Sequence, residues 1–219
     1  MSATEFLPPV ISLAELVRRL GDIPLERIPA VPPPGSATEA DVLRRPGGEK
    51  RVYELVDGVL VEKAMGYYES LLAVFLVGRI HAYLEANPIG EVLGPDATMR
   101  LFPGLVRIPD VSFVSWERAP EDAAAEAIPD VAPDLAVEVI SRGNTPDEME
   151  RKLSEYFAAG VRCAWLFDPR ARTVRVYNSR ESFTTLGEDG LVDGGEVLPG
   201  FQVSVAEWLA VGERRKPRQ

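Results

Sequence analysis

A mixed α/β domain is what this chain of 219 residues predicts, and three observations predict it. Tyr53-Glu54-Leu55 and Val59-Leu60-Val61-Glu62 flank Asp57-Gly58, a hairpin signal because both turn residues tolerate positive φ. The run Leu135-Ala136-Val137-Glu138-Val139-Ile140 is apolar at every position but one, the pattern of a strand buried on both faces. Between and after these lie two segments with helical signals, so a mixed central sheet flanked by helices is the expected architecture.

Residues 1–50 read as an N-terminal appendage, with a helix over 13–20 and then Ile28-Pro29-Ala30-Val31-Pro32-Pro33-Pro34-Gly35, which is restricted to extended or turn backbone. A second short helix begins after Ser36 or Thr38. The domain proper spans 51–212, opening with the hairpin, and residues 213–219 form a basic tail. Residues 68–86 are apolar on almost every side and predict a long helix buried over much of its surface, stopped by Asn87, Pro88 and Gly90. Strands follow at 91–93, 97–101 and 110–114, and a loop rich in Ala, Glu and Pro leads to the Glu138 strand. The next helix has Thr145 as N-cap, Pro146 in its first turn, Glu148 completing a capping box and Gly160 as its stop. Met149, Leu153, Tyr156 and Phe157 are its apolar stripe, and Lys152 borders that stripe. Residues 163–168 read as a buried strand and 173–177 as its alternating partner; Leu198-Pro199-Gly200-Phe201 and 205–209 read as a closing turn and a short helix.

A hydrophobic fraction of 46% supports a full core in one domain of about 150 to 200 residues. The start, Met1-Ser2-Ala3-Thr4-Glu5-Phe6-Leu7, lacks the pattern of a signal peptide, and the longest apolar run, 71–77, is too short to span a bilayer, so a soluble cytoplasmic protein is expected. Cys163 is the only cysteine and His81 the only histidine, which leaves no internal disulfide and no zinc cluster; Cys163 reads as packing and His81 as a core or edge histidine. No glycine-rich phosphate loop and no serine nucleophile elbow is present. A net charge of −10 argues against coating nucleic acid by bulk electrostatics, although much of the acid is concentrated at 121–126 and at Glu188, Asp189 and Asp193.

Glu138 stands out against this background, because an ionised carboxylate in an apolar strand costs several kcal/mol unless a cation or strong donors meet it. Asp110, at the start of the 110–114 strand, and Lys152, on the helix after Glu138, are its candidate companions. If the two strands pair, neighbours about 4.8 Å apart aim both carboxylates at one ion. Two carboxylates and a lysine suit a hard divalent metal, Mg²⁺ or Mn²⁺, and an activated water, which is a nuclease-like constellation.

Ile108-Pro109-Asp110-Val111, then Ala132-Pro133-Asp134-Leu135-Ala136-Val137-Glu138-Val139, then Lys152-Leu153-Ser154-Glu155-Tyr156 and Asp168-Pro169, resemble the Uma-two family, a bacterial branch of the PD-(D/E)XK restriction endonuclease superfamily. Tyr53-Glu54-Leu55-Val56-Asp57-Gly58 resembles that family's opening hairpin, and Leu198-Pro199-Gly200-Phe201 its ending. The resemblance implies a restriction-endonuclease-like core that hydrolyses phosphodiester bonds of DNA, with Asp110 and Glu138 holding the metal and Lys152 assisting the attacking water. The superfamily's lysine usually follows the glutamate on the same strand face, where this chain has Ile140; the family supplies it from the following helix, which Lys152 fits. Glu54 is a candidate third acid and Glu69 another. A homodimer is implied as well, since a small single-site nuclease needs two copies to cut both strands.

Each residue has a structural alternative. Glu138 would pair with Arg142 or Arg162, Asp110 would cap a turn after Pro109, Lys152 would pair with Glu148 or Glu155 on the surface, and Glu54 would be a surface strand residue. A catalytically inactive nuclease-fold protein acting as a binding or interaction module is the rival reading, motivated by the acidity; a phosphoesterase for small substrates would use the same residues. Arg100, Arg107, Arg142, Arg151, Arg170, Arg172 and Arg175 gathered on one face around Glu138 would favour the enzyme, and scattered they would favour the interaction module.

Overall fold

The structure, a computed structural model, describes residues 12–44, 51–123 and 125–213. In chain order the elements are α1 (Leu13–Arg19), α2 (Glu39–Leu43), β1 (Tyr53–Val56), β2 (Val59–Glu62), α3 (Tyr67–Ala86), β3 (Gly90–Leu93), β4 (Met99–Phe102), β5 (Leu105–Arg107), β6 (Val111–Ser115), β7 (Leu135–Val139), α4 (Pro146–Ala158), β8 (Cys163–Asp168), β9 (Thr173–Tyr177), β10 (Phe183–Leu186), β11 (Leu191–Asp193), β12 (Gln202–Ser204) and α5 (Val205–Glu213). A mixed six-stranded sheet in the order β10-β9-β8-β7-β6-β3 forms the centre. Only β7 and β8 run parallel within it, joined by α4 as crossover. A second sheet of four strands, β2-β1-β5-β4, and a β11-β12 ribbon complete the set.

Alternation along β7 divides the core. Leu135, Val137 and Val139 face α3 and α5 in a cluster with Leu72, Leu76, Ile80, Trp165, Phe167 and Trp208. Trp208 donates its indole N–H to the Leu72 carbonyl at 2.9 Å, and its ring lies 4.1 Å from that of Phe167, centroid to centroid. Ala136 points the other way, to Tyr156 of α4, while Met149 and Leu153 of the same helix cover Ala164 and Leu166. Helix α4 is thereby pressed onto the face from which Glu138 projects.

The Asp57-Gly58 hairpin forms as the sequence predicts, with φ of 50° and 71° at the two turn residues and Val56 opposite Val59. Three expectations are corrected. Helix α3 is buried along one stripe, Leu72, Ala73, Leu76, Ile80 and Leu84, and not over most of its surface; Val74 and His81 lie on the exposed side, so His81 is not a core histidine. Strands β5, β10, β11 and β12 are present where none was expected. In α4 the Thr145 hydroxyl accepts from the Glu148 N–H at 3.1 Å, but the Glu148 carboxylate does not return to Thr145 and bonds Arg27 and Asn144 instead.

Residues 12–44 are packed against the hairpin and α4. Leu16, Leu20 and Ile23 share a cluster with Val56, Val59 and Val61. Gly21 has φ of +89°, and a Cβ there would come within 2.4 Å of the Glu148 backbone nitrogen. The stretch 1–11, the end of the segment read as an appendage (45–50) and the tail after Glu213 lie outside the described residues. Among the described residues no helix is long and apolar enough to cross a membrane.

Gly21→Ala combines a left-handed backbone with a main-chain collision, so a loss of about 2 kcal/mol is expected, lowering the melting temperature by about 4 to 8 °C in a thermal unfolding scan. An unchanged melting temperature would mean that the N-terminal segment is not held against α4 in solution.

Candidate active site

The sheets meet at a buried cluster of acids and bases, and each member owes its place to an element already described. Pairing of β6 with β7 sets Val111 opposite Val137 and Ser112 opposite Ala136, and the same register continued by one residue sets Asp110 opposite Glu138. Glu54 points in from the middle of β1 and is fully buried. Lys152 reaches in from the centre of α4, with 2% of its surface exposed.

Lys152 Nζ lies 3.1 Å from Glu54 Oε1 and 3.0 Å from Glu138 Oε1, so one ammonium joins a strand of each sheet to the crossover helix. Tyr156, one turn further along α4, donates its hydroxyl to the same oxygen of Glu138. Glu54 is secured from its other side by Arg107 Nη1 at 2.7 Å and by the Ile108 N–H at 3.1 Å. Arg107 also grips Glu155 at 2.5 Å. Asp110 is held separately: its Oδ2 accepts the Val139 N–H at 2.7 Å, and Lys63 Nζ stands 2.9 Å from its Oδ1. The hydrogens of that ammonium are directed at the Pro95 and Pro109 carbonyls, at 2.9 and 3.1 Å, so Asp110 Oδ1 has a neighbouring charge but no hydrogen bond of acceptable angle.

Burial pushes the Glu54 carboxyl up, but Lys152, Arg107, the Ile108 N–H and Lys63 outweigh it and bring it down to about 2. Glu138 goes the other way. Its burial, with Asp110 and Glu54 nearby, raises it above the usual carboxylate range despite Lys152. Burial works against the Lys152 ammonium, yet Glu138 and Glu54 hold its pKa above the ordinary lysine value, so it is a cation and a donor. Burial and the same two acids raise the Tyr156 hydroxyl, which stays protonated.

The structure thus brings Glu54, Glu138 and Lys152 into direct contact and sets Asp110 beside them. Glu138 pairs with neither Arg142 nor Arg162, and Lys152 with neither Glu148 nor Glu155. Glu69 does not join: its carboxylate accepts the Gly66 N–H at 3.1 Å and caps α3. Lys63, Arg107 and Tyr156 are members that sequence reasoning missed. Tyr156 was the most accessible of them, four residues after Lys152 and so on the same helical face. The arginines do not share one face around Glu138. Arg100 pairs with Glu39, Arg107 with Glu54 and Glu155, Arg151 with Asp57 and Glu155, and Arg172 with Glu188 and Glu213. Arg175 lies against the Tyr177 hydroxyl; Arg142 and Arg170 are exposed and, among the described residues, without an ion pair.

Two carboxylate oxygens are left over, Asp110 Oδ1 and Glu138 Oε2, which receives no hydrogen bond among the described residues. Two lysines stand among three buried acids, with Arg107 shared with Glu155. A hard cation would meet both the free oxygens and the remaining negative charge. No group of three or more His, Cys, Asp or Glu side chains is placed to hold a metal ion among the described residues.

A family model described as "Putative restriction endonuclease", Uma2, matches residues 40–206. The crystal structure of "a putative nuclease belonging to DUF820" from Anabaena variabilis superposes with a TM-score of 0.63 at 20% identity, covering 74% of this chain and 91% of that one, and shows that the two share a fold. No curated protein matches the chain.

Removing Lys152 and removing Glu138 should have opposite effects on stability. Lys152→Ala strands two buried carboxylates and is expected to cost about 3 to 5 kcal/mol, or roughly 10 °C in melting temperature. Glu138→Gln removes the acid whose ionisation the folded state resists, so a melting temperature equal to or above wild type is expected in EDTA at neutral pH. The folded pKa of Glu54 is depressed, so its stabilisation is complete above the ordinary carboxyl pKa of 4.5 and disappears as the pH falls toward about 2. Glu54→Gln should therefore flatten the acid limb of an unfolding profile measured between those values, and an unaltered limb would contradict this assignment.

Proposed function

The chain belongs to the Uma2 family, and from that premise we propose that it is a metal-dependent endonuclease hydrolysing phosphodiester bonds of DNA. The observation that carries this reading is a lysine ammonium fixed between two buried glutamates, with a third acid opposite one of them whose Oδ1 meets only the Lys63 ammonium. Asp110 and Glu138 would hold Mg²⁺ or Mn²⁺. Such an ion supplies Lewis acidity, lowering the pKa of a coordinated water and countering charge on the phosphate.

The chain's own residues then divide the remaining work. Lys152 and Tyr156 both bond Glu138 Oε1, which fixes the carboxylate plane and leaves Oε2 without a hydrogen bond among the described residues. As a permanent ammonium, Lys152 donates to the attacking water and offsets negative charge developing on the phosphate; it does not take the proton. Glu54, anchored by Arg107, keeps Lys152 in place as a positioning residue, and Lys63 does the same for Asp110. We take a homodimer as the acting form on duplex DNA, one copy for each strand. The interaction-module reading draws its support from one observation, that Arg100, Arg107, Arg151 and Arg172 are engaged in internal ion pairs.

Calorimetric titration with Mn²⁺, run beside a plasmid-nicking assay, tests the proposal. Saturable binding and nicking are expected in wild type, both lost in Asp110→Ala and Glu138→Gln. Lys152→Gln is expected to keep Mn²⁺ binding while nicking falls by about a hundredfold or more. Nicking that survives Glu138→Gln would overturn the assignment, and a wild type that neither binds Mn²⁺ nor nicks would leave the interaction module as the better reading.

A further inference from the structure

An open groove of about 640 Å³ runs along the carboxyl-terminal edge of β7 and β8, lined among others by Gly66, Tyr67, Ser141, Arg142 and Arg170. The edge is one edge because the two strands are parallel: the chain leaves β7 through Ser141 and Arg142, and leaves β8 through Pro169 and Arg170. Glu138 lies three residues before Ser141 of the groove's lining, and Ala64, also in the lining, directly follows Lys63, the partner of Asp110. In open α/β sheets this edge is where ligands bind.

The groove differs from another arginine-lined pocket, where Arg18 and Arg180 stand among Asp57, Asp147 and Glu150. In an acidic chain whose arginines are largely engaged, Arg142 and Arg170 are exposed, unpaired among the described residues and directed to the same groove. Tyr67 stands at its rim with 84% of its surface exposed. Its neighbour Tyr68 is different, leaning on Gly212 of α5 and so part of the packing. Two guanidinium groups for phosphates and an exposed ring for a base are the parts of a single-strand platform. Glu69 also lines the groove, but its carboxylate is engaged with the Gly66 N–H as the cap of α3.

Access argues for one strand rather than two. Glu138 is 5% exposed and Asp110 2%, and the segments leaving β2 and β7 meet where Ala64 lies against Gly143. A stiff duplex cannot bend into such a recess, whereas an unpaired strand can. We infer that single-stranded DNA, or a strand locally opened from a duplex, enters the site along this groove, with phosphates on Arg142 and Arg170 and a base stacked on Tyr67. The inference deepens the endonuclease reading and rests on it for the chemistry, but not for the binding.

Binding is therefore measured in EDTA, where no cleavage occurs, by fluorescence anisotropy of a labelled oligothymidylate and of a duplex of equal length over a range of salt. The single strand should bind more tightly. R142Q/R170Q should weaken it and lower the salt slope by about 1.4, the contribution of two phosphate contacts to a single strand. Tyr67→Ala should cost about tenfold in affinity with the slope unchanged. R79Q/R180Q, which removes two exposed arginines elsewhere, should change neither. Equal loss in that control, no loss in R142Q/R170Q, no binding by wild type, or tighter binding of the duplex overturns the groove assignment, and tighter binding of oligouridylate overturns the choice of DNA. Intact single-strand binding without Mn²⁺-dependent nicking would sink the endonuclease reading alone; intact nicking with an unchanged slope in R142Q/R170Q would sink the groove alone.

Discussion

The buried ammonium of Lys152 is the joint of the molecule. It contacts Glu54 in one sheet and Glu138 in the other from a helix that crosses between parallel strands, so the relative position of three layers is expressed in two ion pairs. A lysine with 2% of its surface exposed is costly to desolvate, and the acids beside it offset that cost, Glu54 as the one whose ionisation the surroundings favour. Buried charge of this kind contributes less to net stability than to uniqueness: a one-residue slip of β7 against β6 would turn Glu138 to the face that Leu135, Val137 and Val139 fill.

Around that joint the other charges divide into those that hold and those that remain available. Arg107, Lys63 and Tyr156 complete the coordination of the acids, with bonds of 2.7 Å from Arg107 to Glu54 and 2.9 Å between Lys63 and Asp110. What remains is Glu138 Oε2, without a hydrogen bond among the described residues, and Asp110 Oδ1, which meets only the Lys63 ammonium. The asymmetry in acidity follows: Glu54, surrounded by cations, is held at about 2, while Glu138, sharing its one lysine and facing two acids, is pushed upward.

Much of this was legible in the residues. Glu138 announced itself as a carboxylate in an apolar strand, Asp57-Gly58 announced the first hairpin, and Thr145-Pro146 the start of α4, because each is a local conflict or a local rule. Lys63 and Arg107 were not legible, since their partners are 47 and 53 residues away and nothing in their own neighbourhood demands burial. Glu148 shows how a local rule loses to a distant one: the capping-box geometry was available, but Arg27 offers a bidentate partner at 2.7 and 2.8 Å. Helix α3 misled for the opposite reason, apolar all round in sequence but partnered on one stripe only, and the short strands β10 to β12 have too few residues for a period to register.

Arg27 also fixes a temporal order. Its guanidinium bonds the Glu62 carbonyl, the Gly143 carbonyl and the Glu148 carboxylate, joining points 35, 116 and 121 residues distant, and Glu54 reaches Lys152 across 98. During synthesis the hairpin exists long before α4 emerges, so Glu54 and Arg27 wait in water, where an unpaired charge is harmless. Their dehydration depends on α4, which supplies the partners of both, Lys152 and Glu148. A chain truncated before α4 would therefore be left with a hydrated, polar seam between its sheets, which that one helix closes.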